Sequence, residues 1–180
     1  MGSPGHPASN PSYGRDPRGD VYFSADELGG FVDASFAGDR DTRRSKTGFV
    51  LMFNGGPVSW KSKDQSIVAL STTDSEIEAA VKAIREVKGL RVQLHQLGLS
   101  TQQHPTVLKE DNSATICISH NASLRETTKH LGYRRSFLRD EVEKKEVVLD
   151  SIPTSLQTAD ILTKTLGGVL HERHYRYLFA

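Results

Sequence analysis

The chain has 180 residues, 36% of them hydrophobic, which fits one globular domain with a short polar appendage. Its 23 Lys and Arg residues offset 22 Asp and Glu residues, and a net charge of +1 excludes nucleic-acid binding that rests on total charge alone. A single cysteine, Cys117, excludes an intrachain disulfide and a four-cysteine zinc site, and no run approaches the ~18 consecutive apolar residues of a membrane helix.

The first part of the chain is polar and contains few aliphatic side chains. Residues 1–20 read MGSPGHPASNPSYGRDPRGD, and such a segment cannot bury enough apolar surface to offset the entropy that it loses on ordering. We therefore predict a flexible lead-in or linker over residues 1–25, with order beginning near Leu28.

Three strands are predicted after this segment. The first is the run GGFVDASFAGD, in which apolar residues surround one acid, Asp33. The second is GFVLMF at residues 48–53, and the sequence Asn54-Gly55-Gly56 predicts a hairpin turn into a third strand at residues 57–60. This pattern is typical of a meander of three antiparallel strands.

A change of period at Thr73 marks the start of a helix. Seven apolar residues recur three or four apart from Ile77 to Leu97, which is one stripe of a helix of roughly six turns. The later elements are a strand at 106–108, a short helix at 112–120, a charged helix at 127–145, a strand at 147–152 and a helix at 158–166. This order predicts an α/β fold over residues 26–166, in which flanking helices cover a mixed five-stranded sheet of three antiparallel and then two parallel strands. A helical tail follows over residues 167–180.

Three carboxylates stand where ordinary folding does not require them. Hydrolysis of a phosphodiester needs charge stabilisation on the attacking and leaving oxygens, which two metal ions ~4 Å apart supply. Magnesium prefers oxygen ligands and takes one or two carboxylates beside several waters. Asp33, Glu76 and Asp111 are the candidate ligands in this sequence.

Asp33 and Asp111 each have a structural alternative. A lone carboxylate in an apolar strand costs several kcal/mol unless it is paired or binds a metal, but Asp33 also fits an edge strand or a turn. Asp111 ends a strand, where open α/β sheets place their ligands, yet acids also serve there as helix N-caps. Glu110, on the opposite face, is the rival of Asp111.

Glu76 has the strongest structural alternative of the three. The sequence Thr73-Asp74-Ser75-Glu76 fits a capping box, and an acid in the first turn complements the helix dipole. Glu78 and Asp74 compete with Glu76 as the ligand from this helix.

Three further features favour structural roles. We expect Trp60 to pack in the core or the hairpin and Cys117 to fill the core or its margin. The pair His171 and His174 has helical spacing, but with no third ligand nearby it is predicted to be a surface pair.

Several segments in one order resemble the ribonuclease H domain that follows reverse transcriptase in copia-type retrotransposons. The resemblance covers roughly residues 28–166. The segments that carry it are Asp33-Ala34, Gly38-Asp39, Arg43-Arg44, Ser45-Lys46-Thr47-Gly48, SWKSKDQ (59–65), Ala69-Leu70-Ser71 leading to Glu76, Asp111-Asn112, Lys129-His130 and ADILTK (159–164).

The resemblance implies an endonuclease that hydrolyses the RNA strand of RNA–DNA hybrids during reverse transcription. Two Mg²⁺ ions, for which Mn²⁺ can substitute, are the implied cofactors, and Asp160 joins the three acids above as a fourth metal-binding and catalytic residue. Two departures stand out: the loop at 153–157 lacks the histidine of many related enzymes, and one extra residue precedes the helical acid, which leaves Glu78 as an alternative to Glu76.

The implied partners are an RNA–DNA hybrid and the reverse transcriptase domain of the same polyprotein, with no membrane. The expected location is intracellular, in a cytoplasmic virus-like particle or the nucleus. A catalytically inactive remnant that binds nucleic acid or a partner is the main alternative function, and a related nuclease acting on DNA is a weaker one. The candidate substrate-binding residues, each of which also fits a solvated surface, are Arg43, Arg44, Lys61, Lys63, Asn112, Lys129, His130 and Arg134.

Overall fold

The computed structural model describes residues 13–15, 21–24, 26–38, 41–99, 104–121 and 129–179. Seven strands lie in the described residues: β1 (Tyr13–Arg15), β2 (Val21–Phe23), β3 (Leu28–Ser35), β4 (Lys46–Phe53), β5 (Gly56–Asp64), β6 (Thr106–Glu110) and β7 (Val147–Ser151). The α-helices there are α1 (Thr72–Gln96), α2 (Ser113–His120), α3 (Lys129–Glu143) and α4 (Gly168–Phe179). None of the helices in the described residues combines the length and apolar character needed to cross a membrane.

The main sheet has five strands in the order β5-β4-β3-β6-β7. Strands β3, β4 and β5 pair antiparallel, whereas β6 pairs parallel with both β3 and β7. The predicted fold class is thereby confirmed, since three antiparallel strands are followed by two parallel ones with helices packed against the sheet.

One face of the sheet is covered mainly by α1 and α3. The apolar stripe of α1, with Ile77, Ile84 and Val87 almost fully buried, packs on alternate residues of β3 such as Val32. Leu138 of α3 completes this layer beside β7. The stripe ends before Leu97, which is 74% exposed, so the predicted helix is confirmed but its last apolar residue lies outside the core.

The opposite face is covered by β2, α4 and two 3₁₀ turns over Thr154–Leu156 and Thr158–Leu162. The rings of Phe23 and Phe31 meet edge-on with centroids 5.6 Å apart, and Phe31 meets Tyr177 of α4 in the same way at 5.5 Å. This aromatic row fixes both ends of the chain to the centre of the sheet.

The position where order begins is corrected by this packing. Val21 and Phe23 are 3% and 9% exposed, so the ordered core starts before Leu28, and β2 also pairs with β1. Residues 1–12 and 16–20 of the predicted lead-in lie outside the described residues. The division of the chain at residues 25 and 166 stays a prediction.

Other local expectations were wrong. Trp60 is 63% exposed on edge strand β5, and Cys117 is exposed on α2 rather than filling the core. His174 is 1% exposed, so it does not form a surface pair with His171. The predicted helix at 158–166 is a 3₁₀ turn over Thr158–Leu162, and residues 127–128 of the predicted charged helix lie outside the described residues.

The contact between Tyr177 and β2 tests whether the N-terminal strand belongs to the folded unit. The Tyr177 hydroxyl donates a hydrogen bond to the Val21 carbonyl oxygen across the ends of the chain. We expect Tyr177→Phe to lower the free energy of unfolding by about 0.5–1.5 kcal/mol, because the substitution removes this hydrogen bond and keeps the ring. Urea denaturation measures the change.

Tyr175→Phe on the same helix is the control, since Tyr175 is 50% exposed. Equal stability of Tyr177→Phe and the control would contradict a docked β2.

Candidate metal centre

Asp33 lies near the end of the central strand β3 and is 1% exposed. Its partner in the register of β4 is Gly48, where a side chain would collide with the Thr163 methyl group. The missing side chain therefore lets the segment after the second 3₁₀ turn lie against the sheet. From there the Thr163 hydroxyl donates a short hydrogen bond to Asp33 Oδ2.

Glu76 lies in α1 beyond the capping residues. The N-cap is Ser71, whose hydroxyl accepts the Asp74 backbone N–H at 3.1 Å, so the capping box predicted at Thr73 is wrong. Glu76 therefore has no capping role that would compete with metal binding. Its side chain is buried, with 3% exposed. Gln65 fixes this helix end to β4, because its amide Nε2 donates to both Ser75 O and Thr47 Oγ1.

The two rivals of Glu76 are engaged with cations. Glu78 forms ion pairs with Lys82, at 3.3 Å, and with Arg134 of α3, while Asp74 pairs with Arg135 at 3.0 Å. By contrast, Glu76 Oε2 is buried and has no hydrogen-bond partner in the described residues. Among the described residues Glu76, and not Glu78, therefore keeps a buried oxygen without a hydrogen-bond partner.

Asp111 follows the last residue of β6 and does not cap α2. That role belongs to Asn112, whose side-chain oxygen accepts the Thr115 N–H at 3.0 Å. Glu110 points to the opposite face, as expected, but that face is covered by α1 and Glu110 is fully buried. One of its oxygens accepts the Asn112 N–H at 3.0 Å, and the other has no partner in the described residues.

Three acids from three separate elements converge at this end of the sheet. Asp33, Glu76 and Asp111 each offer an oxygen, and these oxygens lie within 4.8 Å of one another. They line an open cleft of about 350 Å³ together with Ser35, Thr72 and Asn112 among others. This cleft, the acid cleft, is reached from solvent although Asp33 and Glu76 are buried.

Asp160 does not line the acid cleft but is linked to Asp33 through a lysine. Lys164 Nζ lies 2.7 Å from Asp160 Oδ1 and 3.1 Å from Asp33 Oδ1, so one ammonium group bridges the two carboxylates. Asp160 is 3% exposed, and its carboxylate interacts electrostatically with both Asp33 and Asp111. Lys164 lies within the ADILTK segment, but the sequence alone assigned it no role.

The acids raise one another's proton affinity. Burial, followed by the charges of Glu110, Asp33 and Asp111, raises the pKa of Glu76 to about 11. Burial also raises the pKa of Glu110 to about 8, although the Asn112 N–H opposes the shift. Burial raises the pKa of Asp160 to about 6 against the hydrogen bond from Lys164. Burial and mutual repulsion thus disfavour the ionisation of all these acids together.

This arrangement fits a hard divalent cation. The donors are all carboxylate oxygens, and the unpartnered Glu76 Oε2 is a buried acceptor that a metal ion would satisfy. This group of three acids includes neither an imidazole nor a thiolate, the ligands that favour softer metals.

Gln157 joins β3, which carries Asp33, to β6, which precedes Asp111, and it was missed from the sequence. Its amide Nε2 donates to Val32 O at 2.9 Å and to Lys109 O at 3.2 Å, while its Oε1 accepts the Ala159 N–H at 3.3 Å. One buried side chain thus joins β3, β6 and the turn that carries Asp160. In the sequence, the only feature that pointed to this linking role was the position of Gln157 three residues before Asp160.

The predicted substrate-binding residues are divided between two faces. Arg43 and Arg44 are exposed, and Arg44 lines a second cleft of about 480 Å³. This basic cleft is lined by Arg44, Lys46, Lys164, Asp64, Ser35, Gly38, Thr163 and Thr165. It adjoins the acid cleft, because Ser35 and Lys164 line both.

Lys61 and Lys63 are exposed on the other face of β5. Strand alternation places them with Ser59, whose hydroxyl bonds Glu86 of α1. Arg134 has the intramolecular partner Glu78, and the side chains of Lys129 and His130 lie outside the described residues. The structure therefore does not bring these cations together on one surface.

Comparison with known proteins gives both sequence relatives and structural neighbours. The chain is 38% identical over 139 residues to the Retrovirus-related Pol polyprotein from transposon TNT 1-94 of Nicotiana tabacum, which covers 77% of the chain but only 10% of that polyprotein. No protein-family profile matches the chain.

Two solved structures share the fold. Ribonuclease H1 from the archaeon Halobacterium salinarum superposes with a TM-score of 0.56 and 15% identity, over 76% of this chain and 94% of that one. The foamy viral protease-reverse transcriptase, solved in complex with an RNA/DNA hybrid, gives a TM-score of 0.52 and 12% identity, over 91% of this chain and 21% of that one.

The raised pKa values predict how metal binding depends on pH. A carboxyl with a higher pKa in the folded state stabilises the protein at low pH, and this contribution is lost as the pH rises from 4.5 toward about 8 for Glu110 and about 11 for Glu76. A divalent cation competes with these protons, so we expect Mn²⁺ affinity to increase with pH, by up to about tenfold per pH unit for each proton displaced.

Thermal unfolding in Mn²⁺ and in EDTA across this pH range measures the effect as a growing difference in Tm. Asp33→Asn, which lacks one ligand, should show the smallest difference. A Mn²⁺ effect that stays constant or falls with rising pH would contradict proton displacement.

Gln157→Leu tests whether this residue positions the metal ligands. The substitution leaves two carbonyl oxygens and one N–H without their partner, so we expect a loss of about 1–3 kcal/mol for each group that stays dry. Mn²⁺ affinity should also fall by about 10–100-fold, as for other residues that orient metal ligands. Titration calorimetry measures the affinity, and Gln93→Leu at an exposed position of α1 is the control.

Reduced stability with unchanged Mn²⁺ affinity would show that Gln157 is only a structural link.

Proposed function

Because the chain is homologous to copia-type Pol polyproteins and has a ribonuclease H-like fold, we propose that it is a divalent-metal-dependent endonuclease that hydrolyses the RNA strand of RNA–DNA hybrids. The observation that carries the proposal is the convergence of Asp33, Glu76 and Asp111 within 4.8 Å in an open cleft. The chain spans a tenth of its tobacco relative, so its role in reverse transcription is part of the proposal.

In this proposal four acids hold the metal ions, and two neighbouring side chains position the acids. Asp33, Glu76 and Asp111 hold the divalent ions, Mg²⁺ or Mn²⁺, and Asp160 is the fourth ligand. The ions, when bound, supply a nucleophile at neutral pH and stabilise charge on the attacking and leaving oxygens. Thr163 orients Asp33 through its hydroxyl, and Gln157 keeps Asp33 and Asp111 on their strands at a fixed separation.

Substrate contacts are proposed around the acid cleft. Arg44 and Lys46 in the adjoining basic cleft carry charge suited to phosphates, and Arg43 lies beside them in the chain. Asn112 lines the acid cleft, where its amide nitrogen is suited to contact a 2′-hydroxyl, the group that distinguishes RNA from DNA. We assign Lys61 and Lys63, on the other face of β5, to a second phosphate contact. We assign Lys129, His130 and Arg134, at the start of α3, to a further contact with the substrate.

The proposed partner is the reverse transcriptase domain of the same polyprotein. The tobacco relative is a Pol polyprotein, and the foamy viral neighbour is a protease-reverse transcriptase solved with an RNA/DNA hybrid. On this proposal the enzyme works where the retrotransposon is copied, in a cytoplasmic virus-like particle or the nucleus.

An inactive module that only binds nucleic acid has less support. Such a module has no use for four converging acids, which repel one another and are partly neutralised by protons in the absence of a metal. The open acid cleft also leaves the acids accessible to an ion and a substrate.

We expect the purified chain to cleave the RNA strand of a hybrid in Mg²⁺ or Mn²⁺ and to leave the DNA strand intact. Asp33→Asn and Asp111→Asn should each lose more than about 100-fold in rate, since even residues that only orient metal ligands contribute 10–100-fold. Hybrids labelled separately on each strand, resolved on denaturing gels, measure the products.

Asp140→Asn, at an exposed acid of α3, is the matched control and should cleave normally. Hybrid binding without cleavage in either metal would favour the inactive module, and cleavage of the DNA strand would favour a DNA nuclease. Normal cleavage by Asp33→Asn would refute the assigned centre.

A further inference from the structure

Lys164 occupies the space between two of the proposed metal ligands. Its ammonium donates to Asp33 Oδ1 and to Asp160 Oδ1, at 3.1 Å and 2.7 Å. The side chain is 35% exposed, so the amine reaches the acids from solvent rather than from the core. Burial alone lowers the pKa of this ammonium, but the hydrogen bond to Asp160 and the charge of Asp33 outweigh burial and raise it, so the group stays charged.

An ammonium and a divalent cation compete for the same carboxylates, because the two positive charges repel each other at this distance. Magnesium binds carboxylate oxygens at 2.0–2.1 Å, and the bridging amine already uses one oxygen of Asp33 and one of Asp160. By contrast, Glu76 Oε2 has no hydrogen-bond partner in the described residues, and Glu76, Asp33 and Asp111 face the open acid cleft. The cluster is therefore divided into an accessible part and a part that Lys164 covers.

We propose that Lys164 is a built-in competitor that holds the place of a divalent ion between Asp33 and Asp160 and must be displaced before the second ion binds. This inference rests on the proposed metal centre. The two ions then bind with unequal affinity: the first uses the accessible acids around Glu76, and the second pays for release of the lysine.

The structure provides a destination for the displaced amine. Lys164 lines the basic cleft as well as the acid cleft, so rotation of its side chain moves the charge toward Arg44 and Lys46. Asp64 also lines this cleft but is already paired with Lys46, so a third cation there is repelled unless a further anion joins it. A phosphate group in the basic cleft therefore favours the displaced lysine and, with it, the second ion.

A Mn²⁺ titration of the full chain without nucleic acid tests this competition. The wild type should bind one ion tightly and a second weakly, and Lys164→Met should bind the second ion about tenfold more tightly or better, the size that a lost hydrogen bond to a charged group supports. Titration calorimetry and the electron paramagnetic resonance of free Mn²⁺ count and rank the ions. Lys164→Arg, which keeps the charge, should behave like the wild type.

Thermal unfolding separates competition from an ordinary structural ion pair. In EDTA, Lys164→Met should unfold at a lower temperature than the wild type, because the acids lose their counterion, and in saturating Mn²⁺ this difference should vanish or reverse. A structural ion pair would give the same loss in both conditions. Lys88→Met is the control, because Lys88 forms an ion pair with Glu141 at 2.8 Å and lines neither cleft, so its loss should be the same in both conditions.

Equal Mn²⁺ binding by the wild type and Lys164→Met, or weaker binding by the variant, would overturn the competition alone. Absence of Mn²⁺ binding in both proteins would overturn the metal centre and the competition together.

Discussion

The parallel strands β3 and β6 stop pairing after Phe31 and Lys109, and the functional end of the molecule depends on this separation. Beyond that point β3 continues with β4 and β6 continues with β7, so backbone carbonyls between them face a gap rather than a ladder. Gln157 closes the gap by donating to Val32 O and Lys109 O. The Gln157 side chain takes the place of strand pairing at a point where a continuous sheet would leave no cleft. Asp33 on β3 and Asp111 after β6 therefore both line the acid cleft.

The same separation creates an electrostatic problem that the fold does not solve by itself. Asp33, Glu76 and Asp111 converge near two further buried acids, Asp160 and Glu110, and burial raises the proton affinity of Glu76, Glu110 and Asp160. Protons and the Lys164 ammonium are the available counter-charges within the described centre. Such unfavourable clusters persist where an activity depends on them, and on the proposed function the stability lost without a cation is exchanged for strong cation binding.

The strands of the meander and the main helices could be predicted because their signals are local. The apolar runs of β3 and β4, the Asn54-Gly55 turn and the long stripe of α1 each lie within one stretch of chain. Asp33 was also predictable from its apolar neighbours. Glu76 was harder, because the choice between it and Glu78 depends on where the helix begins. In the structure Ser71 is the N-cap and fixes where the helix begins, whereas the sequence alone fits a cap at Thr73 equally well.

The residues that sequence reasoning missed act through contacts that no local pattern encodes. Gln157 meets Val32 across 125 residues, and Lys164 meets Asp33 across 131. Strand β2 is three residues long, too short for a period, and only its packing against Phe31 places it in the core. The net charge of +1 likewise gives no sign of this arrangement, because it is a sum over acids that meet at one end of the sheet and cations that lie on two faces. The effect of a charged residue in this protein depends on where the fold places it. On the proposed function, a polyanionic substrate can approach the acid cleft closely only once cations have filled it.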